Sequence, residues 1–219
     1  MELPVVRDIL SANDRVAAEN RAAFAAAGVL ALNLMASPGA GKTSVILATA
    51  ARLPVDVRPG VIEGDLASSI DTETVVAHGI PAVQINTGGN CHLDAPMVRR
   101  ALPSLPLADL DLLFIENVGN LVCPAEFDLG ARLAVVVASA PEGHDKPYKY
   151  PGMFASADVV LLNKCDLLQV FEFDVEYFRR GVAMVNPQAP IFQLSCRTGA
   201  GVQAWTDWLL EHLKWDRLI

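Results

Sequence analysis

A chain of 219 residues, 52% of them hydrophobic, can bury one substantial core, yet no apolar run reaches the roughly 18 residues of a membrane-spanning helix. A formal charge of −8 excludes a general nucleic-acid binder, which needs a basic face, and neither a nucleic-acid nor a membrane partner is expected. The first 20 residues interleave Glu2, Arg7, Asp8, Asp14, Arg15 and Glu19 and do not read as an export signal, so the four cysteines suit cytoplasmic thiols or metal ligands better than disulfides.

In chain order, residues 8–27 are Ala-rich, with Ile9, Val16, Ala23 and Phe24 near helical spacing, which predicts a leading helix ended by Gly28. Residues 1–28 are expected to pack as a helical segment on a single domain formed by 29–219. The apolar run 29–35 predicts a strand, and Ala36-Ser37-Pro38-Gly39-Ala40-Gly41-Lys42-Thr43 follows it into a helix over 42–53, stopped by Pro54. That loop has the make-up of a phosphate-binding P-loop. Gly39, Ala40 and Gly41 let backbone N–H groups approach a polyphosphate, Lys42 reaches the β- and γ-phosphates, Thr43 offers a hydroxyl to Mg²⁺, and Ser44 completes the binding set. Ala36 stands where the usual pattern has a glycine, a mild change because a small residue still permits the turn.

A second strand is predicted over 55–63 despite Pro59, closing on Glu63-Gly64-Asp65, and Ser68 or Asp71 can cap a helix running towards His78. Gly79 and Pro81 break it before a third strand, 82–86. Further strands are predicted at 112–115, 133–138, 159–162 and 191–194, with helices at 97–102, 174–185 and 202–213. Strands alternating with helices predict an α/β P-loop fold, a mostly parallel sheet with helices on both faces. Ligands then gather beyond the C-terminal ends of the strands.

Residues there carry the chemistry. Asp65 follows strand two, and Glu116-Asn117-Val118-Gly119 follows the strand 112–115. Both carboxylates are placed to meet Mg²⁺, and Gly119 can bring its amide to a γ-phosphate. Lys42, Asp65 and Glu116 are thus the candidates for hydrolysis, and with no residue standing out as a general base, slow turnover is expected. Asn163-Lys164-Cys165-Asp166 follows the strand 159–162. A carboxylate such as Asp166 accepts two hydrogen bonds from guanine, whereas adenine offers no matching donors, which points to GTP and GDP; the tetrapeptide resembles the Asn-Lys-x-Asp guanine motif of GTPases, which implies that Asn163 holds the loop and Lys164 lies along the base. Ser195-Cys196-Arg197-Thr198-Gly199 reads as the last guanine-side loop, in contact mainly through its backbone.

Cys91-His92 and Cys123 form a third constellation. Thiolate and imidazole favour Zn²⁺ or Ni²⁺, but three ligands fall short of a closed structural site, and the spacing alone leaves open a pair of half-buried thiols with a bystander histidine. Cys165 and Cys196 read as small loop residues, and His78, His144 and His212 as bystanders.

The stretches Leu32 to Thr43, Ile62-Glu63-Gly64-Asp65, Cys91-His92-Leu93-Asp94-Ala95, Glu116-Asn117-Val118-Gly119-Asn120-Leu121-Val122-Cys123-Pro124 and Asp145-Lys146-Pro147-Tyr148-Lys149-Tyr150-Pro151 resemble the hydrogenase nickel-incorporation GTPases, the HypB family. Urease nickel-insertion GTPases are similar in fold but resemble a Cys-Pro-His arrangement where this chain has adjacent Cys91-His92. The resemblance implies a GTP-hydrolysing metallochaperone that dimerises around nucleotide or metal. It also implies that Cys91, His92 and Cys123 bind Ni²⁺ or Zn²⁺ at the dimer interface, and that a nickel accessory protein and the large subunit of a [NiFe]-hydrogenase are partners. The N-terminal cysteine motif and histidine-rich tract of some members are not expected to operate here, since the first cysteine is Cys91 and no histidine precedes His78. Two other classes fit parts of the pattern: a P-loop ATPase or small-molecule kinase, and a docking protein with a vestigial nucleotide pocket.

Overall fold

The computed structural model describes residues 4–66 and 68–216. Seven strands form one parallel sheet in the order β3-β2-β4-β1-β5-β6-β7: β1 (Leu30–Ala36), β2 (Pro59–Asp65), β3 (Ala82–Asn86), β4 (Leu112–Glu116), β5 (Leu133–Ser139), β6 (Val159–Asn163) and β7 (Ile191–Gln193). Central strands are buried on both faces, as an all-parallel sheet requires. Alternation along β1 sends Leu30, Leu32 and Leu34 into one core with Phe114 and Trp205, while Ala31 joins Ile62, Leu113 and Ile115 on the opposite face.

Helices α2 (Lys42–Ala50), α3 (Ile70–Ala77) and α8 (Val202–Asp216) belong to the first face, where Trp205 Nε1 donates to Thr49 Oγ1 at 2.9 Å and ties α8 to α2. On the second face, α1 (Pro4–Ala27) and α4 (Ala95–Ala101) cover the β2–β4–β1 half, and α5 (Lys146–Lys149), α6 (Pro151–Ala155) and α7 (Val175–Val185) cover β5 and β6. Phe24 of α1 is buried among Val29, Leu113 and Leu129; the expected role of Ile9 lies outside the described side chains. No helix among the described residues is long and apolar enough to cross a membrane.

Among the element boundaries that differ from expectation, three have a clear local cause. β2 begins at Pro59, not at residue 55, because 54–57 closes a turn through Val57 N–H to Pro54 C=O (3.0 Å) and leaves Val55 fully exposed. α2 ends at Ala50, after which Arg52 and Leu53 tighten into i→i−3 hydrogen bonds before Pro54. α4 starts two residues early because Asp94 caps it, its carboxylate accepting from Met97 N–H at 2.7 Å. The pair α5 and α6 was absent from the sequence expectation. Each opens with a proline in its first turn, the position where a missing N–H costs nothing.

Candidate nucleotide and metal site

The P-loop leaves β1 at the sheet centre, flanked by β4 and β5, and its Gly41 sits at φ 97° as the N-cap of α2. Besides that left-handed backbone, a Cβ at 41 would lie 2.6 Å from Asn163 Nδ2, so only glycine fits. Asn163 Nδ2 donates to the Ala40 carbonyl (3.0 Å) and Lys164 Nζ to the Gly39 carbonyl (2.7 Å), so the guanine-side tetrapeptide and the phosphate loop form one unit. Asn163 Oδ1 accepts from the amides of Lys164 (2.7 Å) and Cys196 (3.4 Å), and Ser195 Oγ donates to Asp166 Oδ1 at 2.6 Å. The last loop, 195–199, therefore reaches the Asp166 carboxylate through the Ser195 hydroxyl and the Asn163 amide through the Cys196 N–H. Glu142, which the sequence did not single out, accepts from the hydroxyls of Ser37 and Ser139 and braces the P-loop against the end of β5.

Beneath the loop, Thr43 Oγ1 donates to Glu116 Oε1 at 3.0 Å, and Lys42 Nζ lies 3.8 Å from the same oxygen. Glu116 is 4% exposed, and burial pushes its pKa up to about 7 against the opposing pull of Lys42. Its Oε2 is buried with no hydrogen-bond partner among the described residues. A buried carboxylate oxygen without a partner, beside a threonine hydroxyl, is a hard-oxygen pair suited to Mg²⁺, so the residues fit the ion that a nucleotide brings. Glu63 stands in register beside Glu116; burial raises its pKa too, and the Thr72 hydroxyl bonds it. Asp65 ends the same strand and accepts from Ser68 N–H at 2.7 Å.

The metal candidates converge. Cys91 follows β3 and Cys123 follows β4, strands that flank β2, so the two loops meet over the β2 end. Gly64 on β2 permits this: a Cβ there would lie 2.6 to 2.8 Å from the side-chain carbons of Leu93, which seats the Cys-His-Leu-Asp segment. Ligand atoms of Cys91, His92 and Cys123 all lie within 4.8 Å of one another, with Cys91 Sγ 3.1 Å from Cys123 Sγ and 3.7 Å from His92 Nδ1. Ligands bonded at about 2.0–2.3 Å to one tetrahedral ion are spaced similarly. Both cysteines are free thiols. Hydrogen bonding to Cys91 is the main influence raising the Cys123 pKa, and burial lowers that of His92, which favours the neutral imidazole that a metal takes. The His92 ring stacks on Phe127 at 3.9 Å between centroids.

Asparagines hold these loops, and their role was missed from sequence. Asn117 Oδ1 accepts from Leu93 N–H and Val118 N–H, both at 3.0 Å, while its Nδ2 donates to Asn33 Oδ1 at 3.1 Å. From α1, Asn20 Nδ2 donates to the carbonyls of Ala95 (3.0 Å) and Leu129 (3.1 Å), and Asn13 bonds Ala95 N–H and the Asp128 carbonyl. Asn33, a polar residue within an otherwise apolar strand, was the available signal. Cys165 and Cys196 stay on the guanine side, away from this cluster, and burial pushes Cys196 up to about 11. His78, His144 and His212 each make a local contact, with Thr74 C=O, Asp174 N–H and Trp208 C=O.

Residues 30–193 match the family model described as CobW/HypB/UreG, nucleotide-binding domain. Among curated proteins, the hydrogenase maturation factor HypB of Escherichia coli K12 is 51% identical over 207 residues, covering 94% of this chain and 71% of its own. Among solved structures, HypB from Helicobacter pylori in complex with nickel superposes with a TM-score of 0.90 at 39% identity, over 94% of this chain and 96% of the other. Hydrogenase maturation factor HypB from Archaeoglobus fulgidus gives 0.87 at 41% identity, over 93% and 100%.

Proposed function

This chain belongs to the HypB family of hydrogenase maturation factors within the CobW/HypB/UreG class, a P-loop GTPase by that membership, and we propose that it is a metallochaperone whose GTP cycle controls nickel delivery to a [NiFe]-hydrogenase. The observation that carries this reading is the clustering of Cys91, His92 and Cys123 within 4.8 Å, the last of them on a segment covalently continuous with Glu116. A soft three-ligand site with an open position suits a cargo ion that must leave.

Gly39, Ala40, Gly41, Lys42, Thr43 and Ser44 cradle the phosphates, and Asp166, braced by Ser195, reads the guanine edge with Lys164 beside it, while Asn163, bonded by the Cys196 amide, holds the loop. Thr43, Glu116 and Asp65 would hold Mg²⁺, which neutralises charge between the β- and γ-phosphates when bound. Lys42 stabilises charge on the transferred phosphoryl group. Gly119 lies against Pro38, where a Cβ would fall 2.9 Å from its backbone, so the γ-phosphate and the stretch 116–123 compete for adjacent space. Arrival or loss of that phosphate shifts the stretch and, four residues on, Cys123. The cargo is Ni²⁺, with Zn²⁺ the alternative that the same ligands accept. The N-terminal segment, helical over Pro4–Ala27 with residues 1–3 outside the described residues, is part of the one domain, and the working form is a cytoplasmic homodimer promoted by nucleotide or metal, which hands nickel to an accessory protein or to the hydrogenase large subunit.

The test is nickel and zinc binding to the reduced protein in GDP and in a non-hydrolysable GTP analogue, with Cys91→Ala as control. Binding that needs Cys91 and changes with nucleotide supports the chaperone. Guanine-nucleotide binding with metal affinity indifferent to Cys91 sinks it and leaves a regulatory GTPase.

A further inference from the structure

Asn117 lies wholly buried and ties the Leu93 amide to Asn33 in the core, whereas Asn120, three residues on, is half-buried and touches three separate parts of the site. Its backbone N–H donates to the carbonyl of Ala36, the first P-loop residue, at 2.8 Å. Its side-chain Nδ2 donates to the Cys91 carbonyl at 3.3 Å, and its Oδ1 accepts from Val122 N–H at 2.8 Å. One planar amide therefore spans both metal-bearing loops while its main chain is fastened to the nucleotide loop.

We propose that Asn120 is the positioning residue that couples nucleotide state to the metal pair, holding the Cys91 and Cys123 loops at ligand spacing and moving them when the P-loop contact shifts. The inference rests on the chaperone reading above. The chemistry needs an amide: one group must donate to the Cys91 side and accept from Val122 at once. A carboxylate keeps the acceptor and loses the donor; a methyl keeps neither. Gly119 supplies the other half of the device. With no room for a Cβ against Pro38, residue 119 follows the P-loop closely, and displacement there is passed to the next residue instead of being absorbed.

Asn120→Asp and Asn120→Ala are compared with the parent protein, with Asn120→Ser carried in parallel so that poor folding of one variant leaves the comparison intact. The readouts are Ni²⁺ affinity in GDP and in the GTP analogue, with guanine-nucleotide affinity and Tm alongside. Ni²⁺ affinity is expected to fall about 10- to 100-fold, the range for losing an outer-shell partner of a metal ligand. The decisive readout is the ratio of Ni²⁺ affinities in the two nucleotide states. It should collapse to within about twofold of unity, since the coupling free energy is lost, while guanine-nucleotide affinity holds. A merely structural residue would weaken metal binding in both states and leave the ratio intact, and that result overturns the inference. If the parent protein itself shows no nucleotide-dependent ratio, the chaperone reading fails with it; if the parent shows one and every variant keeps it, only the role of Asn120 falls.

Discussion

Asp166 and Cys196 sit in neighbouring guanine-side loops, yet opposite physics governs them. Asp166 is an acceptor whose value lies in staying ionised and aimed, and Ser195 Oγ at 2.6 Å aims it. Asp166→Asn replaces an acceptor with a donor facing the guanine N1–H, and losing a charge-assisted hydrogen bond costs about 1.5–3 kcal/mol. GTP and GDP affinity should drop by about 10- to 150-fold with no gain for ATP, measured by competition with a fluorescent guanine nucleotide; unchanged GTP affinity would mean that the tetrapeptide does not read the base. Burial raises the Cys196 pKa to about 11, so at neutral pH its thiol is almost wholly protonated and a poor nucleophile. Cys91 is exposed. Alkylation at pH 7.5 followed by peptide mass mapping should modify Cys91 well before Cys196, and Cys196 labelling should climb as pH rises towards 11, the direction expected when deprotonation limits the rate. Equal labelling at pH 7.5 would show that the guanine-side loop opens readily.

At the scale of elements, the two buried asparagines of α1 fasten it to both metal-bearing segments. Asn20→Ala removes hydrogen bonds to Ala95 and Leu129 and leaves two buried carbonyls with fewer donors. Such losses cost about 1–3 kcal/mol each at most, and since Asn20 Oδ1 is itself buried without a partner among the described residues, the net belongs near the low end. In a chain of this size the fall in Tm is about 2–4 °C per kcal/mol, and nickel binding should weaken with it, as Ala95 follows the Cys-His pair closely. An unchanged Tm would show that α1 is loosely held in solution. Sequence patterning could not reveal this clamp. Apolar runs mark strands because a doubly covered parallel sheet leaves them no polar alternative, and β3 fell on its expected residues, 82–86. The positions of the P-loop, Glu116 and the tetrapeptide 163–166 in the fold were legible because each lies at the C-terminal end of an apolar run that forms a strand. Asn13, Asn20 and Asn120 were not, because an asparagine on a helix or loop reads as a surface residue until its partner, 115 positions away in the case of Asn13 and Asp128, is known. Likewise, Val55 looked like the start of a strand because a β-branched residue carries no sign that the turn at Pro54 turns it into solvent.

For the whole molecule, the proposed homodimer raises the question of what would draw two copies together. Each chain carries a net charge of −8, so two of them repel, and a site with three protein ligands leaves an ion one coordination position for a partner copy or water. Cys91, the exposed member of the set, would be the ligand open to a second chain in the proposed homodimer. Two contributions to dimerisation can then be separated by mass measured in solution. Without nucleotide or metal, the 23.4 kDa chain should run as a monomer at low ionic strength, and raising salt towards 0.5 M, where screening shortens to a few ångströms (about 3–10 Å across 1 to 0.1 M), should ease association. Added Zn²⁺ or Ni²⁺ should raise the dimer fraction, a chelator should reverse it, and Cys91→Ala should abolish this metal-dependent step. The step driven by the GTP analogue depends on Lys42 and the P-loop instead. It should survive Cys91→Ala and be lost in Lys42→Ala, which in turn keeps the metal-driven step. If Lys42→Ala and Cys91→Ala each abolish both steps, the two sites are one cooperative interface; if neither affects either step, the copies meet through some other face, and the coupling assigned to residues 116–123 acts within a single chain.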